Sequence, residues 1–357
     1  MRIVQVIDSL EVGGAEKMAV NYANSLSKRI EFSGLIATRA EGNLKKQLYE
    51  EVSYLFLKKK RTIDFVAIFK LKRYCTENSI DFVHAHSTSF FLSVLLKIVY
   101  PKIKIIWHDH YGSSENISLE RSLFFKIPSY FLIGLIGVNY KLIKWAEKEL
   151  NCSNVLYLPN FTIENSTIKP DTILKGVTGK RILCLANLRD QKNHFLLLEV
   201  AEKLKKIKSD WSFHLVGKDF EDDYSTKIKS LILSKRLDDT VFVYGSKNDV
   251  NNIINQADIA ILTSKSEGLP VALIEYGLMS KPVITTNVGE IPFIIQDEIN
   301  GFIVGVNEVE MFYERLIQLI DDSCLRLRFG NYLHKTILEN HSEEGVIVKY
   351  LNWIETL

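Results

Sequence analysis

The stretch Arg2-Ile3-Val4-Gln5-Val6-Ile7 decides the fold class, because its run of Val and Ile predicts a strand buried on both faces of a parallel sheet. A helical pattern through Met18, Tyr22 and Leu26 follows it directly. Short apolar runs of this kind alternate with longer amphipathic segments along the rest of the chain. The sequence therefore predicts repeated β-α-β units and an α/β fold.

Two series of candidate strands are separated by a polar segment without periodicity. The first series is 2–7, 34–37, 82–85, 104–107 and 134–138, and the second is 181–186, 212–216, 240–244, 259–262 and 282–285. Residues 163–180 lie between them and contain Pro170, Gly176 and Gly179, which favours a linker. We expect two tandem Rossmann-like domains with doubly wound parallel sheets, residues 1–162 and 181–341.

Length and composition indicate an ordinary globular protein of about two domains. The 357 residues include 45 Lys and Arg, 43 Asp and Glu and 46% hydrophobic residues, which excludes disordered, collagen-like and coiled-coil proteins. The 4 cysteines show no C-x-x-C spacing, so we expect neither a disulfide framework nor a zinc knuckle. The amino-terminal segment lacks a signal-peptide pattern, and the apolar run 127–138 is too short to span a bilayer. A cytoplasmic protein is expected.

Charge is divided unevenly between the two halves. Residues 1–160 contain 22 Lys and Arg against 15 Asp and Glu, a net +7, whereas 161–357 contain 23 against 28, a net −5. The basic side chains of the first half include 58–61, Lys70, Lys72, Arg73, Lys97, Lys102 and Lys104, with Phe56, Phe65, Phe69, Phe90 and Phe91 as apolar neighbours. Such a face could rest on anionic lipid, at about 1 kcal/mol per basic side chain, or could be a solvated lysine-rich surface. The near-neutral whole chain argues against nucleic-acid binding.

Two histidine pairs, His84-Ala85-His86 and His108-Asp109-His110, each follow an apolar strand, at the carboxyl edge where open parallel sheets bind ligands. Residues two apart in a strand share a face, so both pairs together could form a four-nitrogen metal site. No carboxylate signature such as H-E-x-x-H accompanies them, and neutral imidazoles serve equally well to hydrogen-bond a sugar. The histidines could also merely end strands. Tyr111-Gly112 begins a loop directly after the second pair, which suits a binding edge.

Two strand-to-helix turns are candidate phosphate sites. Gly13-Gly14 would let backbone amides approach an anion at a helix N-terminus, although a tight turn explains the glycines about as well. The pattern is not the G-x-G-x-x-G of dinucleotide-binding dehydrogenases. Arg189 and Lys192 lie in the turn after the strand 181–186, where two cations and the positive end of a helix favour a diphosphate. The alternative there is a solvated loop pair.

The most informative segment is Ser264-Lys265-Ser266-Glu267-Gly268-Leu269-Pro270-Val271-Ala272-Leu273-Ile274-Glu275, with two carboxylates eight residues apart. Proline suits the first helical position, so we expect a helix from near Pro270 and exposed amides of Gly268 and Leu269 that complement polar ligand oxygens. Eight helical residues would span roughly 12 Å, comparable to the reach from the ribose to the sugar of a folded nucleotide sugar. Glu275 lies among apolar residues, where a carboxylate needs a partner.

With these motifs the chain resembles the retaining glycosyltransferases of the GT-B fold, family four, also known as glycosyl transferases group one. The resemblance runs nearly end to end, and its most specific element is the Glu-x7-Glu block from Glu267 to Glu275 with its continuation to Thr286. Further matches are Gly13-Gly14, 81–86, His108-Asp109, 158–160, 216–217 and 300–302. The resemblance implies an acceptor-binding domain (1–162) with a last helix (342–357) packing back on it, and a donor-binding domain (181–341) facing it across a central cleft.

The resemblance also implies a role for each matching residue. In the donor-binding domain, Glu275 would bind the donor ribose, Glu267 with the amides of Gly268 and Leu269 would hold the transferred sugar, and Lys192 would neutralise the diphosphate. In the other domain, Gly13 and Gly14 would approach the phosphates, and His108, or His110 if the loop register differs, would be the active-site histidine. Where the family often has Gly-Arg-Leu this chain has Ala186-Asn187-Leu188, so Arg189 must substitute for the usual arginine, and Phe293 departs from a common Gly-Gly-x-x-Glu pattern.

The implied reaction is transfer of a hexosyl or N-acetylhexosaminyl group from a nucleoside diphosphate sugar to a hydroxyl of a lipid-linked or growing surface-polysaccharide acceptor, with retention. No cofactor or metal is expected, since the family needs none and the chain contains no Asp-x-Asp. We favour front-face substitution over double displacement, for which Glu267 is the candidate nucleophile. A UDP-sugar is the expected donor, with GDP-mannose next, and the acceptor places the enzyme at the inner face of the membrane. The alternatives are a nucleotide-sugar-binding protein on a decayed scaffold and a nicotinamide-dependent oxidoreductase.

Overall fold

The chain divides into two compact units. The computed structural model describes residues 1–110, 125–161, 163 and 169–357, so the predicted loop at Tyr111-Gly112 lies outside the described residues. One unit comprises Met1–Glu164 together with Ser342–Leu357, and the other comprises Asn165–His341. Each is built around its own parallel sheet.

The first unit contains a seven-stranded sheet. Its strands are β1 (Arg2–Ser9), β2 (Phe32–Ala40), β3 (Ser53–Phe56), β4 (Phe82–His86), β5 (Lys104–Asp109), β6 (Gly134–Gly137) and β7 (Val155–Tyr157), and its described helices are α1 (Gly14–Ser27), α2 (Phe65–Glu77), α3 (Phe90–Val99), α4 (Tyr140–Glu149) and, from the carboxyl end of the chain, α12 (Glu343–Glu355). The strand order is β3-β2-β1-β4-β5-β6-β7, with every pairing parallel. The order reverses between β1 and β4, which makes their carboxyl ends the expected ligand edge.

The second unit contains a six-stranded sheet. Its strands are β8 (Arg181–Leu185), β9 (Ser212–Val216), β10 (Val241–Val243), β11 (Ile259–Leu262), β12 (Val283–Thr286) and β13 (Phe302–Val304), and its helices are α5 (His194–Lys205), α6 (Asp223–Ser234), α7 (Val250–Asn255), α8 (Val271–Leu278), α9 (Ile291–Ile294), α10 (Val309–Asp321) and α11 (Ser323–Asn340). The order β10-β9-β8-β11-β12-β13 is again parallel throughout and reverses between β8 and β11.

The predicted α/β fold with two Rossmann-like parallel-sheet domains is confirmed, and every predicted strand is present. The sequence pattern missed β3, β7 and β13, which have 4, 3 and 3 residues and lie at sheet edges. Among the described helices, none has both the length and the apolar character needed to cross a bilayer.

The described part of the predicted linker, 169–180, is fixed to the second unit. The backbone N–H groups of Asp171 and Thr172 donate to Asp249 Oδ2 at 2.9 and 2.7 Å, and Leu174 is buried. Burial alone would raise the pKa of the Asp249 carboxyl, but the hydrogen bonds that it accepts, led by that from Thr172, lower the pKa to about 2. Most of this polar segment therefore serves as a fixed border of the second unit.

Helix α12 belongs to the first unit although it ends the chain. Ile347 and Tyr350 are fully buried against that unit. Arg29, which follows α1, pairs with Glu343 at 3.2 Å and with Glu344 at 2.6 Å in the first turn of α12. The last helix thus brings a buried tyrosine from the end of the chain to the first sheet.

Candidate functional site

Four histidine side chains meet at the carboxyl ends of β4 and β5. The two strands are adjacent and parallel with His86 opposite His108, and the alternation of side chains brings His84 and His110 to the same face. His84 Nε2 lies 3.2 Å from His108 Nδ1, and His86 Nδ1 lies 2.9 Å from His110 Nε2. The two predicted histidine pairs therefore form one cluster.

Each hydrogen-bonded pair of rings continues to another polar side chain. Tyr350 Oη of α12 lies 2.9 Å from His84 Nδ1, and Gln5 Oε1 of β1 lies 2.8 Å from His86 Nε2. The side chains of Gln5, His84, His86 and Tyr350 are all fully buried. Two parallel chains of hydrogen bonds thus cross the carboxyl edge of the first sheet.

The other ends of these chains are His108 and His110. Their rings stack with centroids 4.0 Å apart, and neither His108 Nε2 nor His110 Nδ1 has a hydrogen-bond partner within the described residues. Burial lowers the pKa of both imidazoles, that of His110 to about 3, and neighbouring histidines lower the pKa of His108 further. Both rings are therefore neutral near pH 7, with one N–H donor and one acceptor nitrogen each.

The cluster also brings three possible metal ligands close together, namely His84, His86 and His108. Each offers a nitrogen, and these nitrogens lie within 4.8 Å of one another. His84 Nε2 and His108 Nδ1 are, however, joined to each other by a hydrogen bond. An ion that bound through either of these two nitrogens would have to replace that bond.

Gly13 and Gly14 begin helix α1 as the sequence suggests. Gly13 is the N-cap with an extended backbone (φ −165°, ψ 163°), and Gly14 is the first helical residue and is exposed. The carboxylate of Glu16, in the first helical turn, lies where a Cβ on Gly13 would be. A phosphate approaching these amides would therefore meet a negative charge unless Glu16 turns away.

In the second unit, the loops after β8 and β11 are neighbours because these strands pair at the switch point of the sheet. Lys192 Nζ contacts Glu267 Oε1 at 2.5 Å, and Ser264 Oγ donates to the same oxygen at 2.5 Å. The side chain of Glu267 is 6% exposed and that of Lys192 is 22% exposed. A nearly buried carboxylate is thus held by one cation and one hydroxyl.

Hydrogen bonds between the two loops fix the position of this pair. Thr263 Oγ1 donates to the carbonyl of Lys192 at 2.8 Å, the Lys265 N–H donates to the carbonyl of Gln191 at 2.8 Å, and Gln191 Nε2 donates to the carbonyl of Ser266 at 2.7 Å. The cation and the carboxylate are therefore positioned by main-chain contacts as well as by their own attraction.

Arg189 lies on the same edge, three residues before Lys192. Its side chain is exposed, and its guanidinium carbon lies 4.2 Å from the centre of the Phe220 ring, in the loop after β9. Asn187, at the position of the family's usual arginine, accepts a hydrogen bond from the Lys218 N–H at 2.7 Å and so ties the loops after β8 and β9 together.

The expectation of exposed Gly268 and Leu269 is wrong, because both residues are buried. Gly289 explains the difference: its left-handed φ of +58° brings the next loop so close that a Cβ would meet the carbonyls of Glu267 and Gly268. The Glu290 N–H also donates to the Gly268 carbonyl at 2.9 Å. The backbone of this segment is therefore rigid and closely covered by the loop after β12.

Glu275 lies in α8 and is partly buried. Pro270 is the residue before this helix and not its first residue, since its ψ of 121° is extended. The eight-residue spacing from Glu267 is therefore half loop and half helix, so the helical estimate of the distance does not apply. The next residue, Tyr276, is fully buried, and its hydroxyl accepts from the Leu185 N–H at 2.6 Å, which fixes α8 to β8.

Sequence reasoning missed Ser264, Gln5 and Tyr350, which contact the predicted site residues. Gln5 could have been found, because it is a polar residue in the middle of an apolar strand. Tyr350 carries no such signal, since nothing local relates a tyrosine in the last helix to a histidine 266 positions earlier.

The two units match two protein families. The family model of Glycosyl transferases group 1 matches residues 166–336, and that of Glycosyltransferase Family 4 matches residues 12–156. The chain is 25% identical over 245 residues to Poly(ribitol-phosphate) alpha-N-acetylglucosaminyltransferase of Staphylococcus aureus (strain COL), covering 68% of this chain and 49%, about half, of that relative. It is 26% identical to O-antigen biosynthesis glycosyltransferase WbnH of Escherichia coli, over 93% of this chain and 92% of that one. HepE of Anabaena, solved in complex with UDP-glucose, has the same fold, with a TM-score of 0.82 at 15% identity over 100% of both chains.

Proposed function

The chain belongs to the glycosyl transferases of group 1 and family 4, and we propose that it is a retaining hexosyltransferase that uses a nucleoside diphosphate sugar. The transferred group is a hexosyl or N-acetylhexosaminyl unit, and the donor is a UDP-sugar. The acceptor is a hydroxyl of a lipid-linked or growing surface polysaccharide. Similarity to an O-antigen glycosyltransferase and to a protein solved with UDP-glucose supports these choices.

The Lys192–Glu267 contact at the switch point of the second sheet carries this proposal. A diphosphate leaving group gains negative charge as the sugar departs, and a fixed cation there stabilises the transition state. On donor binding, Lys192 exchanges part of its contact with Glu267 for the diphosphate, while Ser264 keeps its hydrogen bond to Glu267. Lys192 thus supplies the charge that a metal ion supplies in other transferases, with Arg189 as a second cation on the same edge.

The acidic residues bind the sugar and the ribose in this proposal. Glu267, with the rigid backbone of Gly268 and Leu269, holds the transferred sugar, and Glu275 accepts hydrogen bonds from the ribose. His108 is the active-site histidine, and as a neutral ring it acts by hydrogen bonding. Glu267 Oε1 already accepts hydrogen bonds from Lys192 and Ser264. Front-face substitution therefore fits better than a covalent intermediate on Glu267.

A face of the first unit supports contact with anionic membrane. Ile63, Phe65, Val66 and Phe69 are 56%, 68%, 79% and 56% exposed, and the last three lie on the outward side of α2 together with Lys70 and Arg73. This group, the α2 face, combines apolar and basic side chains as interfacial helices do. Phe90, expected on the same surface, is fully buried in the core instead. A lipid-linked acceptor would place the enzyme at the inner face of the membrane.

A thermal-shift panel tests the donor proposal. We expect a UDP-sugar to raise the melting temperature in a concentration-dependent way, because a ligand that binds only the folded state stabilises it by mass action. GDP-mannose and NAD⁺ are the comparison ligands. A shift with NAD⁺ and none with any nucleotide sugar would favour the oxidoreductase instead.

A further inference from the structure

A directed chain of hydrogen bonds leads from the last helix to the active-site histidine. We infer that Tyr350 and His84 are positioning residues that hold His108 in the tautomer with its hydrogen on Nε2. His108 then presents an N–H donor to its ligand. The identity of that ligand, the transferred sugar, rests on the proposed function, but the tautomer itself does not.

The geometry of the His84 and His108 rings allows one hydrogen bond between them, with a single hydrogen between the two facing nitrogens. The planes of His84 and His108 differ by 8°, their centroids are 5.3 Å apart and the facing nitrogens are 3.2 Å apart. The rings are therefore nearly coplanar and meet head-on, so one nitrogen donates and the other accepts. Which nitrogen donates is decided at the other end of the chain, by the bond between Tyr350 Oη and His84 Nδ1.

The two possible directions leave different groups unsatisfied. If Tyr350 donates to His84 Nδ1, then His84 Nε2–H donates to His108 Nδ1, and only His108 Nε2–H lacks a partner within the described residues. If the direction is reversed, both the Tyr350 hydroxyl hydrogen and the His108 Nε2 lone pair are left without one. All three side chains are buried, and every buried polar group without a partner is costly. The first direction leaves one such group and the reversed direction leaves two, which selects the first direction.

The neighbouring chain runs in the opposite direction. Gln5 Oε1 can only accept, so His86 carries its hydrogen on Nε2 and its Nδ1 accepts from His110 Nε2–H. The Gln5 amide also faces Tyr350, where it opposes the rise in the pKa of the phenol that burial causes, although Gln5 Nε2 makes no hydrogen bond of standard geometry. His108 and His110 thus end their chains as a donor and an acceptor side by side, which suits a hydroxyl group of a carbohydrate.

The experiment is nitrogen NMR of the full-length protein labelled with [¹⁵N]histidine, with His108 assigned through His108→Gln. Ring ¹⁵N shifts distinguish Nε2–H from Nδ1–H, and we expect Nε2–H for both His84 and His108. In Tyr350→Phe the direction is no longer imposed, so the Nε2–H fraction of His108 should fall to about half. The matched control is Tyr22→Phe, because the Tyr22 hydroxyl is buried beside the same rings and has no partner within the described residues.

Transfer kinetics give the second readout. We expect Tyr350→Phe to lower kcat about two- to tenfold, the worth of one hydrogen bond, with Tyr22→Phe unchanged. A wild-type His108 with its hydrogen on Nδ1, or identical spectra for the two tyrosine variants, would overturn the inference, as would Zn²⁺ bound in stoichiometric amount by these histidines. If the wild-type protein transfers no sugar but shows the expected tautomer, the inference stands and the proposed function fails.

Discussion

At the level of single residues, the proposed sugar transfer depends most on the Lys192–Glu267 contact. Both side chains have lost most of their hydration, so removing one leaves the other charge uncompensated. Lys265 and Asp190 form a similar pair close by, at 2.7 Å, but their side chains are 38% and 67% exposed. The two pairs therefore separate the effect of a buried cation from that of a surface one.

The substitution Lys192→Ala should lower sugar transfer by about 100-fold or more, because it removes the charge that faces the leaving diphosphate. It should also abolish the thermal shift with the donor. Lys265→Ala, which removes the same charge from an exposed pair, should leave both unchanged within about twofold. Equal losses in the two variants, measured by initial rates at saturating donor, would show that Lys192 has no special role.

The sequence predicts these site residues through spacing and resemblance, but it does not predict the side chains that they contact. Glu267 and Glu275 are recognisable because they lie eight positions apart in one segment. Ser264 is near in sequence but is one of many serines, and Lys192 meets Glu267 from 75 positions away. Contacts of this kind depend on which strands are adjacent in the sheet. A local sequence pattern does not predict strand adjacency.

At the level of elements, every central strand was predictable, but of the four edge strands only β10 was. β1, β8 and β11 are mostly buried and rich in Val, Ile and Leu, and β4 (Phe82–His86) is buried throughout, whereas β3 and β7 are short and only partly buried. The sequence predicts a linker in the polar segment before β8, because polar residues with Pro and Gly usually mark loops. In its described part, 169–180, the backbone N–H of Thr172 donates to Asp249, a single side chain 77 positions away.

Acid should weaken the bond between this segment and the second unit. The pKa of Asp249 is lowered from 3.8 to about 2 in the folded state, so its stabilising effect is present above the unfolded-state value and is lost as the pH falls towards 2. Solvent screening limits the effect to about 1 kcal/mol. Asp249→Asn should therefore melt about 2–4 °C below the wild type at pH 7.

This difference in melting temperature should shrink between pH 4 and pH 2 in a circular dichroism series, because the wild-type carboxylate is then being neutralised. Asp238→Asn, at an exposed position of the same unit, is the control and should melt with the wild type at every pH. If the difference in melting temperature between wild type and Asp249→Asn stays constant or widens towards low pH, the Asp249 carboxylate does not stabilise this segment as described.

At the scale of the whole molecule, charge and exposed apolar surface coincide on the first unit. Residues 1–160, which form most of that unit, carry a net +7, and the α2 face adds Phe65, Val66 and Phe69. Composition predicted the charge, but it could not separate the exposed phenylalanines from Phe90, since burial depends on which side of a helix meets the sheet.

Vesicles that contain phosphatidylglycerol should bind the protein, and binding should weaken sharply between low salt and about 0.5 M salt, where charges are screened. Phe65→Ser with Phe69→Ser should reduce binding about tenfold or more, because each burial of such a side chain is worth about 1.5–3 kcal/mol. Val348→Ser, an exposed position of the same unit, is the matched control. If neither salt nor the double substitution changes vesicle binding, the α2 face is excluded as the membrane-binding surface.

Real-time proton NMR of UDP-sugar turnover by the wild-type protein decides whether the protein is a retaining hexosyltransferase. Water serves as acceptor where the natural one is missing, so the first sugar anomer released reports the stereochemistry before mutarotation. We expect UDP and the α-anomer from an α-linked donor, with no turnover by Lys192→Ala. Binding without turnover of any nucleotide sugar would indicate a decayed scaffold, and initial release of the β-anomer would contradict retention.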